Sequence, residues 1–503
     1  MTRVEERPAR PGGNRIVVTI ASEPHPGRRR AKNPLQHRFE PGLVWWLVYH
    51  TYRAAWVLGL PAALAWLWRR GRREPAYRQH LGERLGAVPA RQDRPVWVHT
   101  ASLGELRGAA PLIRALCAAG FPVRLTTLTP AGRAAAGQLA GEEVCRARLD
   151  VAYAPLELGG CVDRFIARTG PRCAVMVEND SWPVLLVRAR RAGLPLAMVN
   201  AQYSERSLQR DQKLWGFRHR LFAIYDLVLA KSERHAARFQ AAGSAEVVVA
   251  GETRFDVPLP QAQVRAAAEL AARWGLEPGS RPVFAVASAV QGEESLWLEA
   301  LQALRERSRD SGRPAPLFVL VPRSPQRFDA LAQALEARGW RFLRRSRCLD
   351  DHLQALPRPQ VAPVARDKVG DAMDAGVEPG PPELLLGDSL GEMFFYLALA
   401  DVVAVGSSFL PAGSHNVIEP LALGKPVVVG PVTWTIEFPA VEALQAGVLH
   451  QEASPQALVE RVLELLGGGP QADLARQAAA AFCQAHRGAA ARHLAVLRRW
   501  MPA

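Results

Sequence analysis

Apolar positions along this chain come in short, almost unbroken runs that alternate with alanine-rich amphipathic stretches. Runs of about five to eight residues that are apolar nearly throughout predict strands buried on both faces of a parallel sheet covered by helices. In the first half of the chain the runs are PVWVHTAS, FPVRLTTLT, CAVMVEND, PLAMVNAQ, DLVLAKS and AEVVVAG. In the second half they are PVFAVASA, LFVLVPR, ELLLGD, DVVAVGSS and PVVVGP. The pattern therefore predicts an α/β protein with two doubly wound, Rossmann-like domains in tandem that face a cleft.

The same pattern predicts how the chain is divided. The joint between the two domains falls near GETRFDVPLP, where an apolar strand gives way to polar, proline-rich chain. A stretch without periodicity at about 350–382 predicts a mobile insertion in the second domain. The predicted segments are a disordered basic extension at 1–42, a membrane-associated helix at 43–72, an N-terminal domain at 73–250, a C-terminal domain at 251–470 and a helical segment at 471–503, which could pack on either domain.

The apolar stretch at 43–72 predicts a helix whose partner the sequence leaves open. Its uncharged run from Ala54 to Trp68 has 15 residues, fewer than the roughly 20 that span a bilayer. Starting the count at Leu43 brings His50 and Arg53 inside the run. Several tryptophans and an arginine cluster at its end are typical of a membrane interface with anionic head groups. The alternatives are a membrane anchor or interfacial helix and a helix packed on the protein itself.

Charge and cysteine content narrow the class of protein. The chain has 63 Lys and Arg against 48 Asp and Glu, a net charge of +15, which favours an anionic partner. A membrane surface, a nucleic acid and a phosphorylated substrate all fit, so charge alone does not choose. The six cysteines are scattered without the close pairs of a zinc or redox site, which predicts a reducing compartment and no structural metal.

Ligands of open parallel sheets bind beyond the carboxyl ends of the strands, so residues that follow strands are the candidates for chemistry. Glu105 follows PVWVHT and begins a helix, where its carboxylate would face the cleft, and Ser102 and Gly104 before it permit close approach of a ligand. The alternative is a glutamate that only complements the helix dipole. Glu178 and Asp180 follow CAVMV, with an N-cap role as the alternative for Asp180.

The second half has its own candidates after strands. The stretch GSSFLPAGSHNVIEPLALGKP ends a strand in small residues and leads into a helix with Glu419. Backbone N–H groups at such a helix start bind phosphate, and Glu419 could accept hydrogen bonds from a ribose. A capping box between Asn416 and Glu419 is the alternative for that glutamate. Arg323 follows another strand and could pair with phosphate, or be a solvated surface charge.

The motifs, in order, resemble one known family. They are REPAYRQHLGERLG, ASLGE, ENDSWP, NAQYSERS, QGEE, VPRSPQRF, GDSLGEM and AGSHNVIEPLALGKPVVVGP. Together, over roughly Leu43 to Leu449, they resemble the 3-deoxy-D-manno-octulosonic acid (Kdo) transferases of Gram-negative lipid A assembly. The resemblance implies a GT-B glycosyltransferase fold, CMP-Kdo as donor, a lipid A precursor as acceptor, inversion at the sugar carbon and no metal or cofactor. It also implies an enzyme at the inner membrane, with its catalytic domains on the cytoplasmic side and no nucleic acid partner.

The resemblance assigns roles to residues of this chain. Glu105 matches the general base, and a single carboxylate suffices because a nucleotide phosphate leaves without protonation. The implied acceptor-side residues are Ser102, Gly104, Glu178 and Arg206. The implied donor-side residues are Gly292, Glu293, Arg323, Ser407, Ser414, His415, Asn416 and Glu419.

Some donor-side positions depart from the family pattern. Ala289 and Val290 stand where Thr and His are usual, Ser324 where His is usual, and Glu252 where Asn is usual. The departures leave two alternatives beside a Kdo transferase. One is a GT-B transferase with a different nucleotide sugar, and the other is a catalytically silent paralogue that binds glycolipid or a partner enzyme.

Overall fold

The structure, a computed structural model, describes residues 39–178, 181–213, 216–276, 280–356, 382–467 and 470–500. Within them, fourteen strands form two parallel seven-stranded sheets. The strands of the first sheet are β1 (Val96–Thr100), β2 (Val123–Thr127), β3 (Leu149–Tyr153), β4 (Cys173–Val177), β5 (Leu196–Ala201), β6 (Leu227–Ala230) and β7 (Val247–Val249). Those of the second are β8 (Val283–Ala289), β9 (Leu317–Pro322), β10 (Phe342–Arg344), β11 (Leu384–Leu386), β12 (Val402–Val405), β13 (Val427–Val429) and β14 (Leu449–Gln451).

Helices cover both faces of each sheet. In the first half they are α1 (Leu43–Arg73), α2 (Leu81–Arg84), α3 (Leu103–Ala118), α4 (Pro130–Gly141), α5 (Gly159–Thr169), α6 (Pro183–Arg191), α7 (Glu205–Lys213), α8 (Phe217–Leu221) and α9 (Glu233–Ala241). In the second half they are α10 (Gln261–Arg273), α11 (Glu294–Asp310), α12 (Phe328–Ala337), α13 (Arg345–Cys348), α14 (Met393–Leu399), α15 (Ile418–Ala422), α16 (Glu437–Gln445), α17 (Pro455–Leu466), α18 (Pro470–His486) and α19 (Ala489–Leu497). We call the first sheet with its helices the N-terminal lobe and the second the C-terminal lobe.

Strand order places one switch point in each sheet. The first sheet has the order β3-β2-β1-β4-β5-β6-β7, so the chain builds outward from β1 and then returns to build the other way from β4. The second has the order β10-β11-β9-β8-β12-β13-β14, with the reversal between β8 and β12. Loops diverge at the carboxyl ends of such adjacent strands and leave a crevice there. We call these crevices the N-terminal and C-terminal switch points.

The predicted two-sheet α/β fold is confirmed, and all eleven predicted runs contain a strand. Three further strands, β3, β10 and β14, are not among the predicted runs, and each lies at the edge of a sheet. In β3, Asp150 interrupts the apolar run and pairs with the buried Arg124 of the neighbouring strand at 2.8 Å. An edge strand has a neighbour on one side only, so it tolerates polar residues that the central strands exclude.

Helix α1 has apolar residues that are buried against the protein and others that are exposed. Trp45 and Tyr49 are buried, and Trp45 stacks on Phe217 with ring centroids 4.9 Å apart. Elsewhere on the helix Leu43 is 85% exposed and Leu58 is 82% exposed. The helix therefore packs on the N-terminal lobe along one side only. No helix within the described ranges is long and apolar enough to cross a membrane.

The last two helices contact both lobes. Phe482 of α18 belongs to a core cluster of the C-terminal lobe, whereas Leu497 of α19 belongs to a core cluster of the N-terminal lobe. Between the helices, the Asp256 carboxylate accepts hydrogen bonds from the N–H groups of Gly488 and Ala490, both at 2.6 Å. Most of the predicted basic extension, residues 1–38, and most of the predicted insertion, residues 357–381, lie outside the described residues.

Candidate active site

The predicted site residues cluster at the two switch points. Glu105 follows β1 and Glu178 follows β4, and these strands are neighbours, with Val98 beside Val175. In the C-terminal lobe Glu293 follows β8 and Ser407 follows β12, also on neighbouring strands. The predicted site residues of each lobe therefore lie at the carboxyl ends of two adjacent strands, beside the crevice.

Glu105 closes a capping box at the start of α3. Ser102 is the N-cap, and its hydroxyl oxygen accepts the Glu105 N–H at 3.2 Å. In return the Glu105 carboxylate accepts the Ala101 N–H at 2.6 Å and the Ser102 hydroxyl at 3.2 Å. The side chain thus takes the helix-terminal role that the sequence left as an alternative. It is half-buried, so it keeps access to a ligand in the crevice.

The surroundings of Glu105 make its carboxylate a better proton acceptor. Burial, followed by the nearby Glu178 charge, raises the pKa of Glu105 from 4.5 to about 7. Hydrogen bonds from Ala101 and Ser102 and the charge of Arg254 oppose that rise. A carboxylate with a pKa near the working pH combines an ionised population with a strong driving force for proton uptake.

Arg254 is the centre of a charge network beside Glu105. Its guanidinium contacts Glu178 at 2.5 Å and Glu252 at 3.1 Å, and it donates to the Gly104 carbonyl oxygen at 3.2 Å. Lys231 lies 3.1 Å from Glu252. Burial alone would raise the pKa of Glu178, but Arg254 and Lys231 outweigh it and lower that pKa. Glu178 is therefore ionised at pH 7, whereas the pKa of Glu105 is close to 7.

Glu419 of the C-terminal lobe shares this network. Burial raises the pKa of Glu419, and Arg107 and Arg254 of the N-terminal half oppose the rise. Arg254 in turn interacts electrostatically with Glu178, Glu252, Glu419 and Glu105. The structure thus brings together three predicted residues, Glu105, Glu178 and Glu419, around a residue that sequence reasoning missed.

Three residues of this network carried a sequence signal. Glu252 and Arg254 stand directly after the strand AEVVVAG, and Lys231 ends the strand DLVLAKS. Charged residues at the ends of buried strands mark the ligand edge of a parallel sheet. Arg107, an exposed residue in the second turn of α3, carried no such signal.

At the C-terminal switch point Glu293 joins two loops. Its carboxylate is fully buried and accepts the Ser407 N–H at 2.7 Å and the Val290 N–H at 3.2 Å. Ser407, two residues after β12, has a φ of 70°, and Glu178, directly after β4, has a φ of 63°. Left-handed backbone at residues other than glycine costs about 1–3 kcal/mol and is concentrated at functional sites.

Arg323 and His415 face each other across these loops. Arg323 is exposed and forms no side-chain hydrogen bond or ion pair with the described residues. Burial, and then the charge of Arg323, lower the pKa of His415 to about 4, so its ring is neutral at pH 7. The described part of the chain supplies no hydrogen-bond partner to its Nε2 atom. A cation and an unused imidazole nitrogen therefore lie together.

The remaining donor-side residues shape the neighbouring loop. Gly292, two residues before the start of α11, has a φ of 98°, which only glycine adopts readily. The Ser414 hydroxyl donates to the His415 carbonyl oxygen at 3.3 Å, and the Asn416 side-chain oxygen accepts the Ile418 N–H at 3.0 Å. Asn416 also hydrogen-bonds Glu419. The helix that follows, α15, has five residues, so it contributes only a short dipole.

Arg206 lies apart from the cluster around Arg254. Its guanidinium donates to the Pro411 carbonyl oxygen at 2.8 Å and lies 4.7 Å from the ring centre of Trp434. It therefore joins the N-terminal lobe to a loop of the C-terminal lobe. Asp180, the other candidate after β4, lies outside the described residues.

The arrangement provides a proton acceptor in one lobe and an anion-binding surface in the other. Within the described residues, no group of three or more His, Cys, Asp or Glu side chains is placed to hold a metal ion. Two Rossmann-like lobes with this site between their strand ends have the architecture of the GT-B fold. The fold is similar to the crystal structure of Anabaena Alr3699/HepE in complex with UDP, with a TM-score of 0.52, 13% identity, and coverage of 81% of this chain and 100% of that chain.

Sequence comparison gives the particular family. The model of the family 3-Deoxy-D-manno-octulosonic-acid transferase (kdotransferase) matches residues 79–257. The 3-deoxy-D-manno-octulosonic acid transferase of Bordetella pertussis is 38% identical over 447 residues, covering 88% of this chain and 96% of that protein. The transferase of the same name from Haemophilus influenzae is 27% identical over 461 residues, covering 90% and 98%. The chain belongs to the Kdo transferase family and is a glycosyltransferase.

Proposed function

We propose that this chain transfers Kdo from CMP-Kdo to a hydroxyl group of a lipid A precursor in lipopolysaccharide assembly, with Glu105 as the general base. The observation that carries the role of Glu105 is its position. It is a half-buried carboxylate with a pKa near 7, at the N-terminal switch point, in the same charge network as Glu419 of the opposite lobe.

The reaction needs one proton acceptor. As the acceptor oxygen attacks the anomeric carbon of Kdo, its proton passes to Glu105, and the bond from that carbon to the CMP phosphate oxygen breaks. CMP leaves with the bonding electron pair, and attack from the opposite face inverts the carbon. To act, the Glu105 carboxylate must give up the Ala101 N–H, which costs roughly as much as a helix cap, about 1 kcal/mol. This cost is small beside the 10²- to 10⁴-fold acceleration typical of general base catalysis.

The C-terminal lobe supports departure of the nucleotide. Arg323 is exposed and without a partner among the described residues, so its guanidinium can pair with the CMP phosphate through two parallel hydrogen bonds. The neutral His415 ring beside it can donate or accept one more hydrogen bond. Glu419, deeper in the crevice, can accept from the ribose hydroxyls. These contacts would neutralise the charge that develops as the bond to phosphate breaks.

The test is transfer by purified protein from CMP-Kdo to a tetraacyl lipid A precursor, followed by CMP release and product mass. We expect Glu105→Gln to lower kcat by about 10²- to 10⁴-fold because the amide cannot accept the proton. Glu143→Gln is the matched control, since Glu143 is an exposed glutamate of the same lobe, and it should leave kcat unchanged.

Three outcomes would contradict the proposal. Absence of CMP release by the wild-type chain would argue against the activity. Selective thermal stabilisation by UDP, and not by CMP, would favour a different nucleotide sugar. Full activity of Glu105→Gln would leave the transfer standing and remove Glu105 as its base.

We further propose that α1 lies on the cytoplasmic surface of the inner membrane. Its outer side exposes large apolar residues such as Leu58, and Arg69, Arg70, Arg72 and Arg73 at its end are all exposed. An apolar helix side next to a basic cluster is typical of helices that lie at an anionic lipid interface.

Flotation with vesicles that contain anionic lipid tests this placement. Leu58→Glu should lower the vesicle-bound fraction several-fold, because a charge would replace an apolar contact with lipid. Leu474→Glu is the control, since Leu474 is 63% exposed on α18, far along the chain, and should bind as the wild type does. Equal binding of both variants would argue against contact of α1 with lipid.

A further inference from the structure

A cavity of about 370 Å³ lies between α1 and the N-terminal lobe. Ala63 and Leu67 line it from the helix, and Leu128, Leu156 and Leu185 line it from the lobe. We propose that this cavity holds one acyl chain of the glycolipid acceptor. This inference rests on the proposed function, because it assigns part of the acceptor to a place in the fold.

The lining presents carbon to the space. Glu157 is in the wall, but its carboxylate oxygens already accept the N–H groups of Val184 and Leu185, each at 2.8 Å. Arg84, also in the wall, donates to the Leu128 carbonyl oxygen at 3.0 Å and stacks over Tyr153 at 3.8 Å. Two buried atoms of the wall, Arg84 Nε and Trp182 Nε1, have no hydrogen-bond partner among the described residues. Most of the other wall residues are apolar, so most of the cavity suits a hydrocarbon better than water. Its volume is within the range of about 300–1,000 Å³ typical of small-molecule sites.

The position of the cavity suits an acceptor. His99, near the end of β1, lines it, and Ala101, two residues later, donates its N–H to Glu105. Two residues of extended chain span at most about 7 Å. A lipid with one chain in this cavity would therefore hold its sugar head group beside the carboxylate that we propose as the base.

The mouth of the cavity is continuous with the exposed side of α1. Trp66 lines the cavity and yet is 54% exposed. A chain could pass from a bilayer under α1 into the cavity along apolar surface. Arg69 and Arg70, on the next turn, would meet the phosphate groups of the same lipid. An α-helix about 10 Å wide is too bulky for this space, which favours a single acyl chain over a protein segment.

The experiment fills the cavity and compares acceptors. Ala63→Trp places a large ring in the space, and Leu128→Trp does so from the opposite wall. Ala62→Trp is the matched control, because Ala62 is exposed on the outer side of α1. The readouts are kcat/KM with the tetraacyl precursor and with the same sugar phosphate stripped of its acyl chains.

We expect both filling variants to lower kcat/KM for the acylated acceptor at least tenfold and to leave kcat/KM for the deacylated acceptor unchanged. Ala62→Trp should change neither. An unchanged kcat/KM for the acylated acceptor in both filling variants would overturn the proposal. So would an equal loss with both acceptors, since that would mean damage to the catalytic centre.

A second readout does not depend on transfer. A dodecyl phosphocholine with a diazirine at the end of its chain, activated by light and mapped by peptide mass spectrometry, should label residues 154–157 in the wild type and in Ala62→Trp. Labelling should be lost in Ala63→Trp. Labelling by a protein that shows no transfer would refute the proposed function but support the cavity as an acyl-chain site. Labelling that is equally strong in Ala63→Trp would contradict the cavity as that site.

Discussion

The two switch points have the same topology and opposite chemistry. At the N-terminal switch point the strand ends carry carboxylates, Glu105 and Glu178, and the cations that face them are already paired within the protein. At the C-terminal switch point the Glu293 carboxylate, which follows β8, accepts hydrogen bonds from backbone N–H groups. The cation there, Arg323, is exposed and without a partner among the described residues.

The difference shows how two lobes of the same fold can have different parts in one reaction. At the N-terminal switch point burial, and then the charge of Glu178, raise the pKa of Glu105, while Arg254 opposes the rise. Arg323, which has no partner among the residues that the structure describes, can instead use its hydrogen-bond donors for an anion. Removing a cation should therefore cost stability in the N-terminal lobe and ligand affinity in the C-terminal lobe.

The largest effect expected from this comparison is on Arg254. Arg254→Ala leaves Glu178 and Glu252 without their main counter-charge, and breaking such a buried pair typically costs 3–5 kcal/mol. We expect the free energy of unfolding to fall by about 3 kcal/mol, the lower end of this range, because Lys231 still faces Glu252. Urea denaturation measures it.

The control is Arg307→Ala, which breaks an ion pair with Glu460 whose two side chains are both about half exposed. It should cost less than about 1 kcal/mol. If both variants lose the same stability, the network around Arg254 is no stronger than a surface pair.

The next effect concerns ligand affinity. Arg323→Ala should raise KM for CMP-Kdo by about 10- to 150-fold, the equivalent of about 1.5–3 kcal/mol for a hydrogen bond to a charged group. Steady-state kinetics with both substrates measures it, and KM for the acceptor and the urea midpoint should stay at their wild-type values.

Arg338→Ala is the control for Arg323, since Arg338 is an exposed arginine on the same lobe, and it should leave both KM values unchanged. A fall in stability in place of affinity would mean that Arg323 is part of the fold, like Arg254. The contrast between the lobes would then be lost.

Much of the fold could be predicted because the central strands carry their own signal. Strands such as β4, with all five residues buried, must be apolar on both faces. The strands that were missed are short or polar. β14 has only three residues, of which only Leu449 is buried, and its context in the sheet decides its conformation.

The candidate site could be predicted only in part. Glu178 directly follows a strong strand, and Glu105 and Ser407 come within five residues of the end of one, so their positions made them candidates. The network around Arg254 could not be assembled in advance, because Lys231 and Arg254 follow different strands and Glu419 belongs to the other lobe. The sequence also could not show that the Glu293 carboxylate points into the protein. A glutamate just before a helix is compatible both with a role at the helix start and with a buried contact to another loop.

The smallest effect is on pH dependence, and its sign follows from Glu105. Its pKa is raised, so the carboxylate form that accepts a proton dominates above about pH 7 and is lost as the pH falls below it. We expect kcat/KM to fall toward tenfold per unit below pH 7. Glu178→Gln removes a charge that raises this pKa, so the fall should begin at a lower pH in that variant.

The most direct test of the account is therefore the pH dependence of kcat/KM for the wild type and Glu178→Gln, at saturating CMP-Kdo. The account predicts a rise with an apparent pKa near 7 in the wild type, a plateau above it, and a shift of the rise to lower pH in the variant. A rise at the same pH in both proteins, or a flat profile between pH 5.5 and 8, would contradict Glu105 as the base.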